Sequence, residues 1–291
     1  MIEFANKKDI EQIISLWQEC FGDKKEYISF FLNRCFTSKN CLVYRENNRI
    51  VSMLFLLEGN VKVAGEILSS FYIYAACTAK DYRNRGIMSR LIQWSIDYSE
   101  LEQIDLICLV PSEETLFDYY ARLGFLRYFK RKEFSLNRNQ INAISENCSE
   151  TSNPTIEQIT ELRNNALSMT DYFIWDTNSV GYAILENELI GGKTVFAKKN
   201  ETIVGYAIFI EEDEQVIIKE FCALKGYTGS VTGLITNASK AEKFFFSLQV
   251  NFPMTADNFF VRDNGMIKPI SVMAEKHLIN ITNAYFGLAL E

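Results

Sequence analysis

The chain has 291 residues, of which 48% are hydrophobic and 13% aromatic, and its formal net charge is -7. This length and apolar content supply one large core or two ordinary ones, and they exclude a disordered or collagen-like chain. The negative charge argues against a general nucleic-acid-binding protein, because phosphate backbones are bound by positive surfaces.

The seven cysteines and the single histidine limit the possible disulfide and metal chemistry. The cysteines are scattered through apolar segments without a CxxC pair, which is typical of reduced thiols in a cytoplasmic protein. With His277 as the one histidine and no thiolate cluster, we expect no metal site. The N-terminal stretch lacks the apolar core of a signal peptide, and no apolar run is long enough to span a bilayer. We therefore expect a cytoplasmic protein with no membrane partner.

The residue pattern in the first half of the chain predicts an antiparallel meander followed by alternating helices and strands. Apolar residues at helical spacing predict helices at 10–20, 27–36, 86–98 and 114–123. Runs of β-branched and aromatic residues predict strands at 2–4, 41–44, 50–57, 67–77 and 104–110, with two more near Phe125 and Phe134. This order is typical of an α/β fold with a mixed sheet.

The second half repeats the pattern of the first. DIEQIISL from Asp9 and TIEQITEL from Thr155 each begin with a helix N-cap residue and have Gln three positions later, the spacing of a capping box. LVYRENNRIVSMLF and TVFAKKNETIVGYAIF each predict a strand, a polar turn containing Asn and a second strand. The repeat predicts two copies of one fold, at 1–137 and 154–291. The polar segment 138–153 between them is a linker or a long surface loop.

The stretch YRNRGIMSRL, residues 82–91, carries three arginines where a predicted strand leads into a predicted helix of an acidic protein. A helix start presents unpaired backbone N–H groups and the positive end of the helix dipole. Gly86 allows close approach to the backbone, and Lys80 adds positive charge against Asp81 alone. The turn is therefore either an anion site suited to a phosphate or pyrophosphate, or a basic turn exposed to solvent.

A second motif, PSEETLFDYYARLGF, follows at residues 111–125. It predicts a helix that ends at Gly124 in the C′ position, with Phe125 entering the next strand. Tyr120 lies on this helix, and Tyr119, one residue away, points elsewhere and is interpreted as packing or pocket wall.

These two motifs resemble the signatures of the GNAT N-acetyltransferase superfamily. Arg83, Gly86 and Met88 correspond to R-x-x-G-x-[GA], with Met88 in place of the small last residue, and YYARLGF corresponds to the Y-x-x-x-G-F ending through Tyr120. The stretch LWQECFGDKKEYISFFLNRCF also resembles the first helical pair of the Eis-type subgroup, whose members carry a second GNAT-like domain. The resemblance implies an α/β (mixed α+β sheet) chain of two tandem GNAT-like acyl-CoA N-acyltransferase folds, the first catalytic and the second degenerate.

The resemblance also implies acetyl-CoA as acyl donor and roles for residues of the first copy. The pantetheine arm would pair with the backbone of Ala76, Cys77 and Thr78, as a peptide adds to a sheet edge. Tyr120 would be the general acid that protonates the departing thiolate, because a phenol with a pKa of about 10 stays neutral at working pH. Cys77 is interpreted as a small strand residue, since no histidine lies nearby to activate it. The pyrophosphate would be held by the residues of the turn, Arg83, Asn84, Arg85, Gly86, Ile87, Met88 and Ser89.

The second copy lacks both motifs. Its strand EQVIIKEFCAL is followed by a turn that keeps glycines but only Lys225 as a basic residue. We expect a degenerate copy that completes the substrate pocket and shields the thioester from water. In the Eis-type subgroup the C-terminal carboxylate reaches the active site, so Glu291 is the candidate catalytic base or amine anchor; the alternative is that the last segment is simply a final strand.

The sequence thus predicts an acetyl-CoA-dependent N-acetyltransferase that acts on a primary amine of a small molecule or peptide, by direct attack in a ternary complex. The alternative is a non-catalytic acyl-CoA-binding or regulatory protein that keeps the fold. Transferases that use aminoacyl-tRNA also pair two such folds, but they need a basic surface, which the charge of -7 opposes. The sequence names neither the acceptor amine nor the oligomeric state.

Overall fold

The computed structural model describes residues 1–150, 154–254, 256–278 and 283–289. Helices α1 to α9 span Ile10–Phe21, Lys25–Cys35, Ile87–Leu101, Glu114–Ala121, Arg138–Ile144, Ile156–Ala166, Thr177–Leu189, Thr228–Ala238 and Val272–His277. Strands β1 to β13 span Ile2–Phe4, Cys41–Glu46, Arg49–Val63, Glu66–Thr78, Leu106–Leu109, Leu126–Asn137, Ser149–Glu150, Tyr172–Ile174, Lys193–Lys199, Thr202–Glu212, Gln215–Ala223, Lys243–Leu248 and Phe260–Pro269. Within the described ranges, every helix is too short or too polar to cross a membrane.

The strands form one mixed sheet, in the order β1-β2-β3-β4-β5-β13-β6-β12-β11-β10-β9-β7, with β8 paired to β3 outside this path. Alternate side chains of β3 show how helices cover its two faces. Met53 and Phe55 belong to the core formed with α1 and α2, whereas Leu54 and Leu56 belong to the core formed with α3 and α4. The mixed α/β sheet predicted from the sequence is confirmed.

The same order of elements occurs twice along this sheet. The hairpin β2–β3 is followed by β4, α3 and the parallel strand β5, and the hairpin β9–β10 is followed by β11, α8 and the parallel strand β12. Both hairpins turn through two residues with positive φ, Asn47 and Asn48 in the first and Asn200 and Glu201 in the second. Such pairs form the hairpin turns whose twist matches that of the strands. These elements match the repeat seen in the sequence.

The two predicted capping boxes differ in outcome. The Thr155 side chain accepts from the Gln158 N–H, and the Gln158 side chain accepts from the Thr155 N–H, as predicted. The box predicted at Asp9 is wrong, because Asp9 is the last member of a box that begins at Asn6. A short 3₁₀ turn, Lys7–Asp9, precedes α1, so the unpaired amides lie one turn earlier in the chain.

Strand β13 connects the two halves of the sheet. It lies antiparallel between β5 and β6, with Ile267 opposite Cys108 of β5 and Leu126 of β6. Strand β6 in turn pairs with β12. The C-terminal part of the chain therefore supplies a central strand beside β5. The division at 138–153 stays a prediction, and residues 138–144 of that segment form α5.

Candidate active site

Strands β4 and β5 diverge in the middle of the sheet. They are paired only from Ser70 to Ile73 of β4, which ends opposite Leu109 of β5. Beyond this point β4 continues beside β3 alone, with a bulge at Ala75, where φ is 49°, and Ala76. Within the described chain, the β5-facing backbone of the rest of β4 has no strand partner. The predicted pantetheine-binding residues Ala76, Cys77 and Thr78 all lie on this edge.

A cavity of about 840 Å³ opens where the two strands separate. Tyr74 and Ala76 line it from β4, Leu109 from the end of β5, and Tyr120 from α4. The alanine side chains of β4 are small and do not fill the cavity, so an extended acyl chain has room beside the exposed strand edge. We call this space the first cavity.

Tyr120 reaches the first cavity because of the way in which α4 ends. The Phe125 N–H donates to the Tyr120 carbonyl at 3.1 Å, and the Gly124 N–H donates to the Ala121 carbonyl at 3.0 Å. With Gly124 at a φ of 87°, these are the two bonds of a Schellman motif. The apolar contact that accompanies such a motif is present, with the Tyr120 and Phe125 ring centroids 5.8 Å apart. The spacing Y-x-x-x-G-F is therefore the spacing of this helix end.

The Tyr120 hydroxyl is suited to donate a proton. Its side chain is only 8% exposed. This burial, together with the neighbouring Tyr119, raises the pKa of Tyr120 well above its ordinary value, so the phenol stays protonated at neutral pH. Tyr119 has a different contact, since its hydroxyl lies 3.0 Å from Ser89 Oγ and connects α4 to the start of α3.

The turn that leads into α3 has the properties of an anion site, and we call it the anion turn. Asn84 and Gly86 have φ angles of 61° and 68°, and α3 begins at Ile87. In the described structure, the backbone N–H groups of residues 84–89 donate no hydrogen bond. They are therefore available, with the positive end of the α3 dipole, to an anionic ligand.

Two arginine side chains stabilise this turn through hydrogen bonds to backbone carbonyl groups. Arg83 Nε donates to the Thr78 carbonyl at 3.0 Å, and Arg85 Nη2 donates to the Asp81 carbonyl at 2.6 Å. A guanidinium has five donors, so both exposed arginines keep further N–H groups for a ligand. Met88, which departs from the family motif, is half-buried against the core below α3. Its extra bulk is therefore accommodated by the core.

Two thiols lie beneath the same turn. Cys77 is buried, which raises the pKa of its thiol well above the ordinary value and agrees with its interpretation as a strand residue. A hydrogen bond from Cys77, with a further one from Arg83, lowers the pKa of the half-buried Cys20 thiol to about 7 against the opposing effect of burial. Cys20 Sγ also lies 3.5 Å from the Thr78 carbonyl oxygen.

A second cavity, of about 750 Å³, meets the first at Asp23, Arg131 and Asn264, which line both. Both halves of the chain build it, because its other walls come from α2, α7, β10, β11, β12 and the segment 285–289. Two of its carboxylates, Asp23 and Glu186, were not predicted from the sequence. Neither lies in a motif, and only the tertiary fold brings them to the cavity.

The segment 283–289 lies in the wall of the second cavity. Tyr285 and Gly287 line it, and Trp175 Nε1 donates to the Gly287 carbonyl at 2.7 Å. The predicted base Glu291 lies outside the described residues, so its role stays a prediction.

The turn of the second half that corresponds to the anion site is covered by the chain itself. The Glu146 N–H donates to the Gly229 carbonyl at 2.8 Å. A Cβ on Gly229 would lie 2.7 Å from the Glu146 side chain, and one on Gly233 would collide with the Glu146 carbonyl oxygen. The two glycines of α8 thus permit close backbone approach. A phosphate there would meet the Glu146 carboxylate, which supports a degenerate second copy.

Diverging parallel strands, a cationic turn at a helix start and a buried tyrosine at a helix end form one candidate site in the first half of the chain. Residues 1–127 match the family model described as acetyltransferase (GNAT) domain. The resemblance predicted from the two motifs is confirmed. A comparison of the sequence with curated proteins found no match.

Solved structures with this fold cover 94% of the chain. A probable N-acyltransferase from Enterococcus faecalis has a TM-score of 0.77 at 14% identity, with 73% of its own chain covered. A GCN5-related N-acetyltransferase from Anabaena variabilis has a TM-score of 0.77 at 17% identity, with 74% covered. Eis1 from Mycobacterium abscessus has a TM-score of 0.69 at 10% identity, with 75% covered. At these identities the likeness is one of fold, and it confirms the GNAT-like α/β fold over most of the chain.

Proposed function

We propose that this protein transfers the acetyl group of acetyl-CoA to a primary amine of a small molecule or peptide, by direct attack in a ternary complex. The observation that carries the proposal is the Tyr120 hydroxyl, held neutral in the wall of a cavity that opens between β4 and β5. A thioester carried along the free edge of β4 would present its sulfur to this phenol.

The donor would use the two parts of the site described above. The backbone amides of residues 84–89, with the spare N–H groups of Arg83 and Arg85, would bind the pyrophosphate. The backbone of Ala76, Cys77 and Thr78 would pair with the pantetheine arm. When the tetrahedral intermediate collapses, Tyr120 would give its proton to the CoA sulfur.

The acceptor amine would enter through the second cavity, which meets the first at Asp23. Asp23 Oδ2 accepts a hydrogen bond from Trp17 Nε1 at 2.7 Å, so the carboxylate is fixed at the junction. A fixed carboxylate at that point would hold an ammonium group next to the thioester. The Asp23 carboxylate at the junction and the net charge of -7 support a cationic acceptor, such as a polyamine, an aminoglycoside or a lysine side chain.

The test measures CoA thiol release with spermidine, kanamycin and a lysine-containing peptide as acceptors. In the Tyr120→Phe variant we expect kcat to fall about 100-fold or more, because the general acid is lost, while acetyl-CoA affinity by calorimetry stays near that of the wild type. Tyr227→Phe, a change of the same kind at the start of α8, should leave both values unchanged.

Unchanged turnover of Tyr120→Phe would remove Tyr120 from the mechanism. Binding of acetyl-CoA without thiol release by the wild type would favour the alternative, a non-catalytic acyl-CoA-binding protein.

A further inference from the structure

A row of three polar side chains connects the two cavities. Tyr74 on β4 lines the first cavity, and Tyr27 on α2 and Glu186 on α7 line the second. The Tyr27 hydroxyl donates to Glu186 Oε1 at 2.6 Å and lies 3.5 Å from the Tyr74 hydroxyl. The longer of these distances is typical of catalytic contacts without bound substrate, which shorten in the productive complex.

We propose that Glu186 is the terminal proton acceptor for the attacking ammonium group, reached through the hydroxyls of Tyr74 and Tyr27. This inference rests on the proposed function, because it concerns the base that amine transfer to a thioester requires. The row supplies a carboxylate that can take up the proton, separate from Asp23, which anchors the amine.

The proton transfer balances without any other reactant. An N–H bond of the ammonium breaks as its proton bonds to Tyr74 Oη, the Tyr74 proton moves to Tyr27 Oη, and the Tyr27 proton moves to Glu186 Oε1. Glu186 becomes a neutral acid, both tyrosines remain neutral, and the amine gains the lone pair that attacks the thioester carbonyl. The proton then leaves Glu186 for water through the second cavity, which this side chain lines.

Burial favours this direction of transfer. Desolvation raises the pKa of Glu186 above its ordinary value, so its carboxylate is a stronger base than one in water. Burial also raises the pKa of Tyr27 and of Tyr74, so neither hydroxyl retains a negative charge and each passes a proton on.

Other groups around the carboxylate modify its pKa but do not lie on the path. Tyr182 donates to the same Oε1 at 3.2 Å and lowers the pKa of Glu186, as does Lys219 on β11, whereas Asp23 raises it. Cys35 on α2 also faces Glu186, and burial, together with the nearby carboxylate, raises the pKa of that thiol to about 12, so the thiol stays neutral.

The experiment measures kcat and KM against pH for the best acceptor among spermidine, kanamycin and the lysine peptide, at saturating acetyl-CoA. In Glu186→Gln, which keeps the hydrogen-bond acceptor but not the base, we expect kcat to fall about 100-fold or more. The acid limb of the kcat profile, where turnover rises as Glu186 loses its proton, should disappear. The KM for acetyl-CoA should not change, and calorimetric binding of acetyl-CoA reports that the variant is folded.

Tyr27→Phe interrupts the row one step earlier and should give the same loss. Because both residues act as one unit, the double variant Tyr27→Phe with Glu186→Gln should be no slower than either single variant. Tyr182→Phe is the matched control, since it removes a hydroxyl from the same carboxylate oxygen but leaves the path intact. It should keep plateau turnover and move the acid limb to higher pH.

Asp23→Asn separates anchoring from proton transfer, because it should raise the KM for the amine and keep the acid limb. The limb should move to lower pH, since the Asp23 charge that raises the pKa of Glu186 is lost. If Glu186→Gln had the turnover and the pH profile of the wild type, the role of Glu186 as proton acceptor would be wrong, but the proposed function would stand. The role of Glu186 would also be wrong if the kcat losses of the two single variants multiplied in the double variant Tyr27→Phe with Glu186→Gln. Absence of thiol release by the wild type would overturn the proposed function, and the relay with it.

Discussion

Cys20 gives the anion turn a thiol that reports on its electrostatics. With its pKa lowered to about 7 by the Cys77 and Arg83 contacts, this thiol should be half ionised near neutral pH, whereas an ordinary cysteine needs about pH 8.5. We expect the rate of Cys20 alkylation by iodoacetamide to rise with pH around a midpoint near 7 and then level off. The measurement follows the Cys20-containing peptide by mass spectrometry.

Acetyl-CoA should slow this alkylation, because Cys20 contacts Thr78 and Arg83 in the proposed donor path. Cys35 is a control within the same chain, since burial raises the pKa of its thiol to about 12 and it should not react at neutral pH. A Cys20 midpoint near the ordinary value would show that the Cys77 contact does not stabilise the thiolate.

Residues of the site differ in how far the sequence could reveal them. Tyr120 and the turn at Arg83 were predictable because each acts through neighbours in the chain, a helix end in one case and a helix start in the other. Asp23 and Glu186 were not, because they reach the second cavity only when α2, α7 and β11 pack together. A carboxylate with no local motif looks like any surface acid in the sequence.

At the scale of elements, the anion turn depends on the left-handed conformation of Gly86, with a φ of 68°. A Cβ there would meet only the Arg90 side chain at 3.7 Å, so Gly86→Ala adds backbone strain rather than a clash. We expect a loss of about 1–2 kcal/mol in the free energy of unfolding. The strained turn should also realign the amides of residues 84–89 and weaken acetyl-CoA binding, measured by calorimetry.

Gly65→Ala is the matched control, because Gly65 has a φ of 92° and open space around its Cβ position, but it lies in the β3–β4 hairpin. It should lose similar stability and keep normal acetyl-CoA affinity. Equal affinity in both variants would contradict the assignment of the turn as the pyrophosphate site.

The elements themselves were largely predictable, and the exceptions have tertiary causes. The strand predicted at 50–57 extends to Val63, because β4 and β8 pair with its second half. The position of β13 between β5 and β6 had no signal in the sequence, because strand order depends on contacts between distant segments. Local periodicity predicts a strand but not its neighbours.

At the scale of the whole molecule, β6 and β13 join the strands of both halves into one continuous sheet. Strand β6 bonds to β13 on one side and to β12 on the other, and β13 bonds also to β5. The second cavity depends on the same continuity, since its walls come from both halves. We therefore expect the halves to unfold together, although the element order repeats.

The three tryptophans allow this expectation to be tested, because Trp17 and Trp94 lie in the first half and Trp175 in the second. In a Trp175→Phe background, urea unfolding followed by fluorescence reports on the first half alone. Ile235→Ala removes a fully buried side chain from α8 in the second half and should cost about 2–5 kcal/mol. If the halves are one cooperative unit, this change lowers the urea midpoint of unfolding by the same amount in two measurements. One is the fluorescence of Trp17 and Trp94, and the other is far-UV circular dichroism. A first-half midpoint that does not respond to Ile235→Ala would show two independent units.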